Sequence, residues 1–171
     1  MVTQHLKEQY RTSENLEARI RLHKLFSTNT YDIDLWIFDQ LNLPPSCRIF
    51  EAGCGTGKLW RTNRHRLPSG WDITLSDFSP GMAAGTRDHF SDAGFRFAVC
   101  DVQYPPFGDG LFDAVIANHM LYHVPDLPKA LAAIRRLLKP GGRLYATSNG
   151  KTHLQEIDTL MPACIPHKPI G

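Results

Sequence analysis

The stretch Arg48-Ile49-Phe50-Glu51-Ala52-Gly53-Cys54-Gly55-Thr56-Gly57-Lys58 decides how the chain is read. A short apolar run ends in an acid, and three glycines alternate before a helical pattern begins. Glycine there lets the backbone turn tightly from a strand into a helix and lets a ligand approach the main chain. The mononucleotide loop G-x-x-x-x-G-K-[ST] does not fit. Ala52 stands in place of its first glycine and Leu59 in place of the hydroxyl that would hold magnesium. The dinucleotide fingerprint G-x-G-x-x-G fits poorly, because the third glycine comes one residue early and Glu51 precedes the loop.

Downstream of this loop, short apolar runs alternate with helical segments. Strands are predicted at 48–52, 71–76, 95–100, 112–117 and 142–148, and helices at 57–67, 79–91 and 127–138. The crossover from Cys100 to Phe112 is Pro-rich, with room for a turn of helix at most. Strands apolar on both faces and separated by helices imply a mostly parallel sheet covered on both sides. That is a doubly wound α/β fold, whose ligands bind beyond the carboxyl ends of the strands.

Upstream, residues 1–45 read as a helical arm. Leu16, Ile20 and Phe26 sit near helical spacing, as do Ile33, Ile37 and Leu41, until Pro44-Pro45 ends the pattern. The core is expected at 46–150. Residues 151–171 read as a short tail with a helix around 152–160, fragmented by Met161-Pro162, Ile165-Pro166 and Lys168-Pro169.

Composition agrees with a folded domain. The 171 residues are 42% hydrophobic and 21% charged, with net charge +2. A chain this long buries roughly two thirds of its unfolded surface and needs no disulfide staples. The four cysteines show no C-x-x-C spacing, which argues against a disulfide framework or a structural zinc site and suggests a reducing cytoplasm. No apolar run reaches the roughly 20 residues that span a bilayer, and residues 1–11 lack the apolar centre of a signal peptide. No membrane is expected as partner.

The strand ends carry the candidate chemistry. Asp77 closes the second strand, where a carboxylate can accept hydrogen bonds from ribose hydroxyls. Asp101 closes the third, where it can accept from an exocyclic adenine amine. The fourth ends in Ala117-Asn118-His119, and Lys139-Pro140-Gly141-Gly142 precedes the fifth.

Together, from about residue 48 to 150, these motifs resemble the class I S-adenosylmethionine-dependent methyltransferases, nearest the small-molecule branch called type 11 or type 25. The resemblance implies a Rossmann-like sheet of strand order 3-2-1-4-5, with S-adenosylmethionine as cofactor and S-adenosylhomocysteine as product. It implies that Glu51, Gly53, Cys54, Gly55 and Gly57 form the loop around the cofactor's methionine part. Asp77 would be the ribose acid, with Phe78 beside the adenine and Met82 completing an apolar wall. Asp101 and Val102 would read the adenine, Val102 through its backbone N–H. Asn118 and His119 would lie beside the sulfonium.

Plainer readings stand beside these. The glycines could serve packing, Asp77 and Asp101 could be strand-end caps, and Phe78 and Met82 could be core. His119 and His123 have a spacing that can bind zinc on a helix, but no Glu follows His119 and Pro125 closes the segment, so no metal is expected. Lys58, Arg61, Arg64, His65 and Arg66 read first as a solvated basic face. No residue is singled out as catalytic. His119, Tyr122 and His123 are candidates for a general base, and Tyr10 and Tyr31 of the arm could face the cationic sulfur.

The chain also departs from the family pattern. The usual core has two further strands, six and seven, which are expected to be absent here. Strand five would then be an exposed edge, and a homodimer through it is a hypothesis. Methyl transfer to a small-molecule acceptor is the leading expectation. A cofactor-binding module without turnover and a nicotinamide oxidoreductase are the rivals. Nucleic acid is disfavoured, because Asn118 is followed by His119-Met120 and not by the Pro-Pro-aromatic of amino-methylating enzymes.

Overall fold

A computed structural model describes residues 18, 20, 21, 25–90 and 94–150. The elements, in chain order, are α1 (Ile33–Asp39), β1 (Ser46–Ala52), α2 (Lys58–Thr62), β2 (Gly70–Asp77), α3 (Pro80–His89), β3 (Arg96–Val99), β4 (Phe112–Asn118), α4 (Leu127–Leu137) and β5 (Leu138–Thr147). Short 3-10 turns follow α2 at Arg64–Arg66 and β4 at Leu121–His123. The strands form one sheet in the order β3-β2-β1-β4-β5. Its four pairings are all parallel. This is the order and the doubly wound fold that the sequence implied.

Local chemistry sets the helix starts. Asp32 caps α1 by accepting from the Asp34 N–H at 2.8 Å. Ser79 caps α3, with Pro80 in its first turn, and Asp126 caps α4 by accepting from the Lys129 N–H at 3.0 Å. Ala130, Ala133, Ile134 and Leu137 form the buried stripe of α4, at the i, i+3, i+4, i+7 spacing of an amphipathic helix. They cover one face of the sheet together with Phe50, Ala52 and Val115. On the other face, Ile49, Ile73, Leu75 and Ile116 pack with Leu59 and Trp60 of α2, Phe90, and Ile37, Phe38 and Leu41 of the arm.

Two differences from expectation have local causes. The helix predicted over 57–67 stops at Thr62. The buried Asn63 side chain donates to the Leu59 carbonyl at 2.9 Å and to the Asp34 carbonyl at 3.0 Å, so it competes for the helix's own acceptor. The crossover between β3 and β4 carries turns and no helix, within the room the sequence left for it. Lys139-Pro140-Gly141-Gly142, expected ahead of the fifth strand, lies within it. It is an irregularity inside β5, where the pairing jumps from Phe112↔Leu138 to Ala114↔Arg143 and Gly141 takes φ +79°.

In the arm, Ile37 and Leu41 are buried, while Phe26 is exposed. Leu16, Tyr10, the helix expected around 152–160 and any strand beyond 150 lie outside the described residues. Among those described, no helix is long and apolar enough to cross a membrane.

Candidate functional site

Beyond the carboxyl ends of the strands lies a cavity of about 650 Å³, within the range of small-molecule sites. Glu51, Gly53, Cys54 and Gly55 line it from the loop after β1. Asp77, Phe78 and Met82 line it after β2, Asp101 and Val102 after β3, and Asn118 and His119 after β4. A parallel sheet brings these segments together because every carboxyl end points the same way. Of the expected site residues, Gly57 is the one that does not line the cavity.

Gly57 has a packing role. A Cβ there would lie 2.6 Å from Phe90 Cε2 and 2.9 Å from Thr86 Cγ2, and its φ is +66°. Its glycine lets α2 start against α3. Gly53, at φ +69°, is closed by Met120 Cβ and Cγ at 2.9 Å, so it too has no room for a side chain.

The loop is tied down through its main chain. The Cys54 N–H donates to the Ser76 carbonyl at 2.8 Å and the Gly55 N–H to Asp77 Oδ2 at 3.0 Å. The Thr86 hydroxyl donates to the Gly55 carbonyl. Asp77 Oδ1 accepts from the Ser79 N–H at 2.8 Å. Asp77 is thus a cap, as the plainer reading had it, and it also faces the cavity. With the Phe78 N–H also acting on it, the carboxylate accepts three main-chain bonds, and of its roughly four lone-pair sites one remains for a ligand. Asp101 likewise caps its own turn, accepting from the Gln103 N–H at 2.8 Å. Phe78 is 43% exposed and so is not core, whereas Met82 is 3% exposed.

Glu51 is buried at 3% exposure, and one of its oxygens accepts from the Trp60 indole N–H. Burial pushes its carboxyl up to about 7, against the Trp60 bond that favours the charged form. Burial also raises Asp77, and it raises the thiols of Cys54 and Cys100, so neither cysteine is poised as a thiolate. Asn118 Oδ1 accepts from the Thr147 hydroxyl at 3.2 Å. The Asn118 amide is buried beside Glu51 and favours its charged form, while Nδ2 makes no hydrogen bond of ordinary geometry among the described residues. A buried amide donor and a buried acid at one end of the cavity suit an amino-acid group, which carries both charges. His119 has φ +50°, rare for a residue other than glycine, and its N–H donates to the Thr147 carbonyl at 3.1 Å.

Several lining residues escaped the sequence reading. Ile20, Ile33 and Asp34 bring the arm to the cavity, and Lys58 reaches it from α2. Lys58 Nζ binds Asp32 at 3.2 Å and also Asp34. Burial raises the Asp34 carboxyl, with Lys58 opposing. These partners lie 24 to 26 residues apart, so no local pattern could have paired them. The rest of the basic segment is largely a solvated face. Arg66 departs from it by stapling α1 through Asp39 and by lying 4.6 Å over the Phe38 ring. Among the described residues, no group of three or more His, Cys, Asp or Glu could hold a metal ion.

A family model described as a methyltransferase domain matches residues 50–146. The chain is 35% identical to the ubiquinone/menaquinone biosynthesis C-methyltransferase UbiE of Bordetella avium, over 61% of this chain and 42% of that protein. It is 33% identical to the malonyl-[acyl-carrier protein] O-methyltransferase of Erwinia pyrifoliae, over 64% of this chain and 40% of that one. The crystal structure of the CurJ carbon methyltransferase shares the fold, with TM-score 0.66 and 22% identity over 86% of this chain and 43% of that one. The chain spans 40–51% of the length of the UbiE relatives it matches. By its motifs, sheet order and matched family, the chain belongs to the methyltransferase domain family, that of the class I S-adenosylmethionine-dependent methyltransferases.

Proposed function

We propose that the 650 Å³ cavity binds S-adenosylmethionine and that the protein transfers its methyl group to a small-molecule acceptor. The observation that carries this is the convergence of Glu51, Asp77 and Asp101 from three adjacent strand ends on one cavity. Acids so placed suit a ligand with an ammonium, a ribose and an adenine amine, and their field favours a cationic sulfur. When bound, the cofactor supplies an electrophilic methyl on a sulfonium. The chain's task is then to orient and exclude water. Proximity and orientation can be worth on the order of 7–11 kcal/mol.

In this reading Glu51 and Asn118 hold the amino-acid end, Asp77 accepts from the ribose hydroxyls, and Asp101 with the Val102 N–H reads the adenine. Phe78 and Met82 supply the apolar wall, and the Gly53–Gly55 backbone lies along the methionine part. The acceptor lies toward His119, Tyr122, His123 and Ile33. That mix of aromatic, imidazole and aliphatic groups favours a largely apolar acceptor. The relatives named for carbon and oxygen methylation support a small-molecule reaction and leave both atoms open.

The test is thermal unfolding with and without S-adenosylhomocysteine. At 100 times the dissociation constant, binding adds about 2.7 kcal/mol. That raises the midpoint by roughly 5–10 °C for a domain of this size. The shift should disappear in Asp77→Ala. No shift, or one unchanged in Asp77→Ala, overturns the reading. A shift without transfer of labelled methyl to any acceptor favours the module without turnover. Self-association through the β5 edge belongs to the same proposal. β5 pairs with β4 along one side, and light scattering that gives a monomer refutes it.

A further inference from the structure

At the opposite end of the sheet, a second recess of about 210 Å³ shares no residue with the large cavity. It exists because the β3–β4 crossover has no helix to cover the amino-terminal part of β2 and β3. The crossover forms its wall instead, through Phe107 and Leu111. That wall is fixed. Arg136 donates to the Phe107 carbonyl at 2.7 Å and the Pro105 carbonyl at 3.1 Å, and pairs with Asp109 at 2.7 Å.

The polar rim is unusual in its charge. Asp72 is shared between Arg96, at 3.1 Å, and Arg48, at 3.7 Å. One carboxylate faces two guanidiniums, which leaves one positive charge in excess and several N–H donors unused. Thr74 is 6% exposed and lines the recess, on the same face of the sheet as Asp72 and its register partner Arg96. Phe107, Leu111 and Phe112, with Ala98, give the recess an apolar interior. A solvated ion-pair cluster alone would add little to stability and would not need the apolar wall that Phe107, Leu111 and Phe112 supply beside it.

We propose that this recess is a second binding site, for a small organic carboxylate with an apolar body. The carboxylate meets the Arg48 and Arg96 forks, whose planar donors match its two oxygens, and accepts from the Thr74 hydroxyl. Asp72 stays between the two arginines and holds them apart. The apolar body lies against Phe107 and Ala98. A volume below the roughly 300 Å³ of a drug-sized pocket limits the ligand to a small one.

The test uses the full chain, labelled with nitrogen-15, and amide spectra titrated with benzoate, acetate and benzyl alcohol as probes. Benzoate should shift the amides of Thr74, Arg96 and Phe97 saturably, and more tightly than acetate or benzyl alcohol, which each carry half of its chemistry. Arg96→Gln should weaken benzoate about tenfold, which is about 1.4 kcal/mol. Arg96 is 67% exposed at its side chain, so this variant keeps the fold, and an unchanged amide dispersion checks that. Thr74→Val should weaken benzoate as well. The proposal is overturned if benzoate gives no saturable shift, if its shifts fall on Gly53 and Asp77 instead, or if Arg96→Gln binds it as tightly as the parent.

Discussion

Replacing Gly57 by alanine should cost about 2–5 kcal/mol of stability without any change in the cavity's lining. The figure has two parts. A non-glycine residue at φ +66° is disfavoured by roughly 1–2 kcal/mol. The new methyl would also stand 2.6 Å from a ring carbon of Phe90 and 2.9 Å from the Thr86 methyl. Phe90 is 1% exposed and cannot swing into solvent, so the overpacking costs about 1–3 kcal/mol more. At roughly 2–4 °C per kcal/mol for a domain of this size, the midpoint should fall by about 4–20 °C. Urea unfolding followed by circular dichroism measures the loss directly. Gly57→Ala with Phe90→Leu should recover part of it, because the second change removes the ring the methyl strikes. Gly85→Ala is the control of opposite sign. It lies inside α3 with nothing within 4 Å of an added Cβ, so it should stabilise by about 0.4–1 kcal/mol. A Gly57→Ala loss below about 1 kcal/mol would refute the packing argument.

The Glu51 carboxyl, raised from 4.5 to about 7, makes stability depend on pH. The unfolded chain releases this proton first, so stability from this group falls between pH 4.5 and about 7 and is level above, by on the order of 3 kcal/mol. Glu51→Gln should flatten that fall, and thermal scans at pH 5 and 7.5 that give parallel losses in both proteins would sink the idea. Lys58→Met leaves the half-buried Asp34 without its cation and should cost about 1–3 kcal/mol, while Lys58→Met with Asp34→Asn should cost less than the first change alone. Additive losses in that double-mutant cycle would show that the pair does not couple α1 to α2. Ile134→Ala opens a hole in the α4 stripe and should cost about 2–5 kcal/mol, measurable by denaturant midpoint at unchanged slope.

The parts of this protein that are written locally were legible in the sequence. Apolar runs of five to eight residues bounded by glycine or acid, and helices opened by Ser79 or Asp126, depend on neighbours a few residues away. From them the alternation of strand and helix, the parallel sheet and the glycine loop follow. The order β3-β2-β1-β4-β5 came with the family resemblance. The acids at the ends of β1, β2 and beyond β3 were legible for the same reason, since a strand's end marks which residue reaches the ligand side. The tertiary structure decided what depends on distant partners. Gly57 looks like its two neighbours in sequence, yet it faces Phe90 while they face the cavity. Asn63 ends α2 because Asp34, 29 residues away, offers a second carbonyl to the same amide. Asp34 and Ile33 belong to the cavity because α1 packs on α2, which no periodicity in the arm could say. Glu51 holds its proton to about pH 7 because the fold takes it out of water, and solvation is a property of the packed molecule.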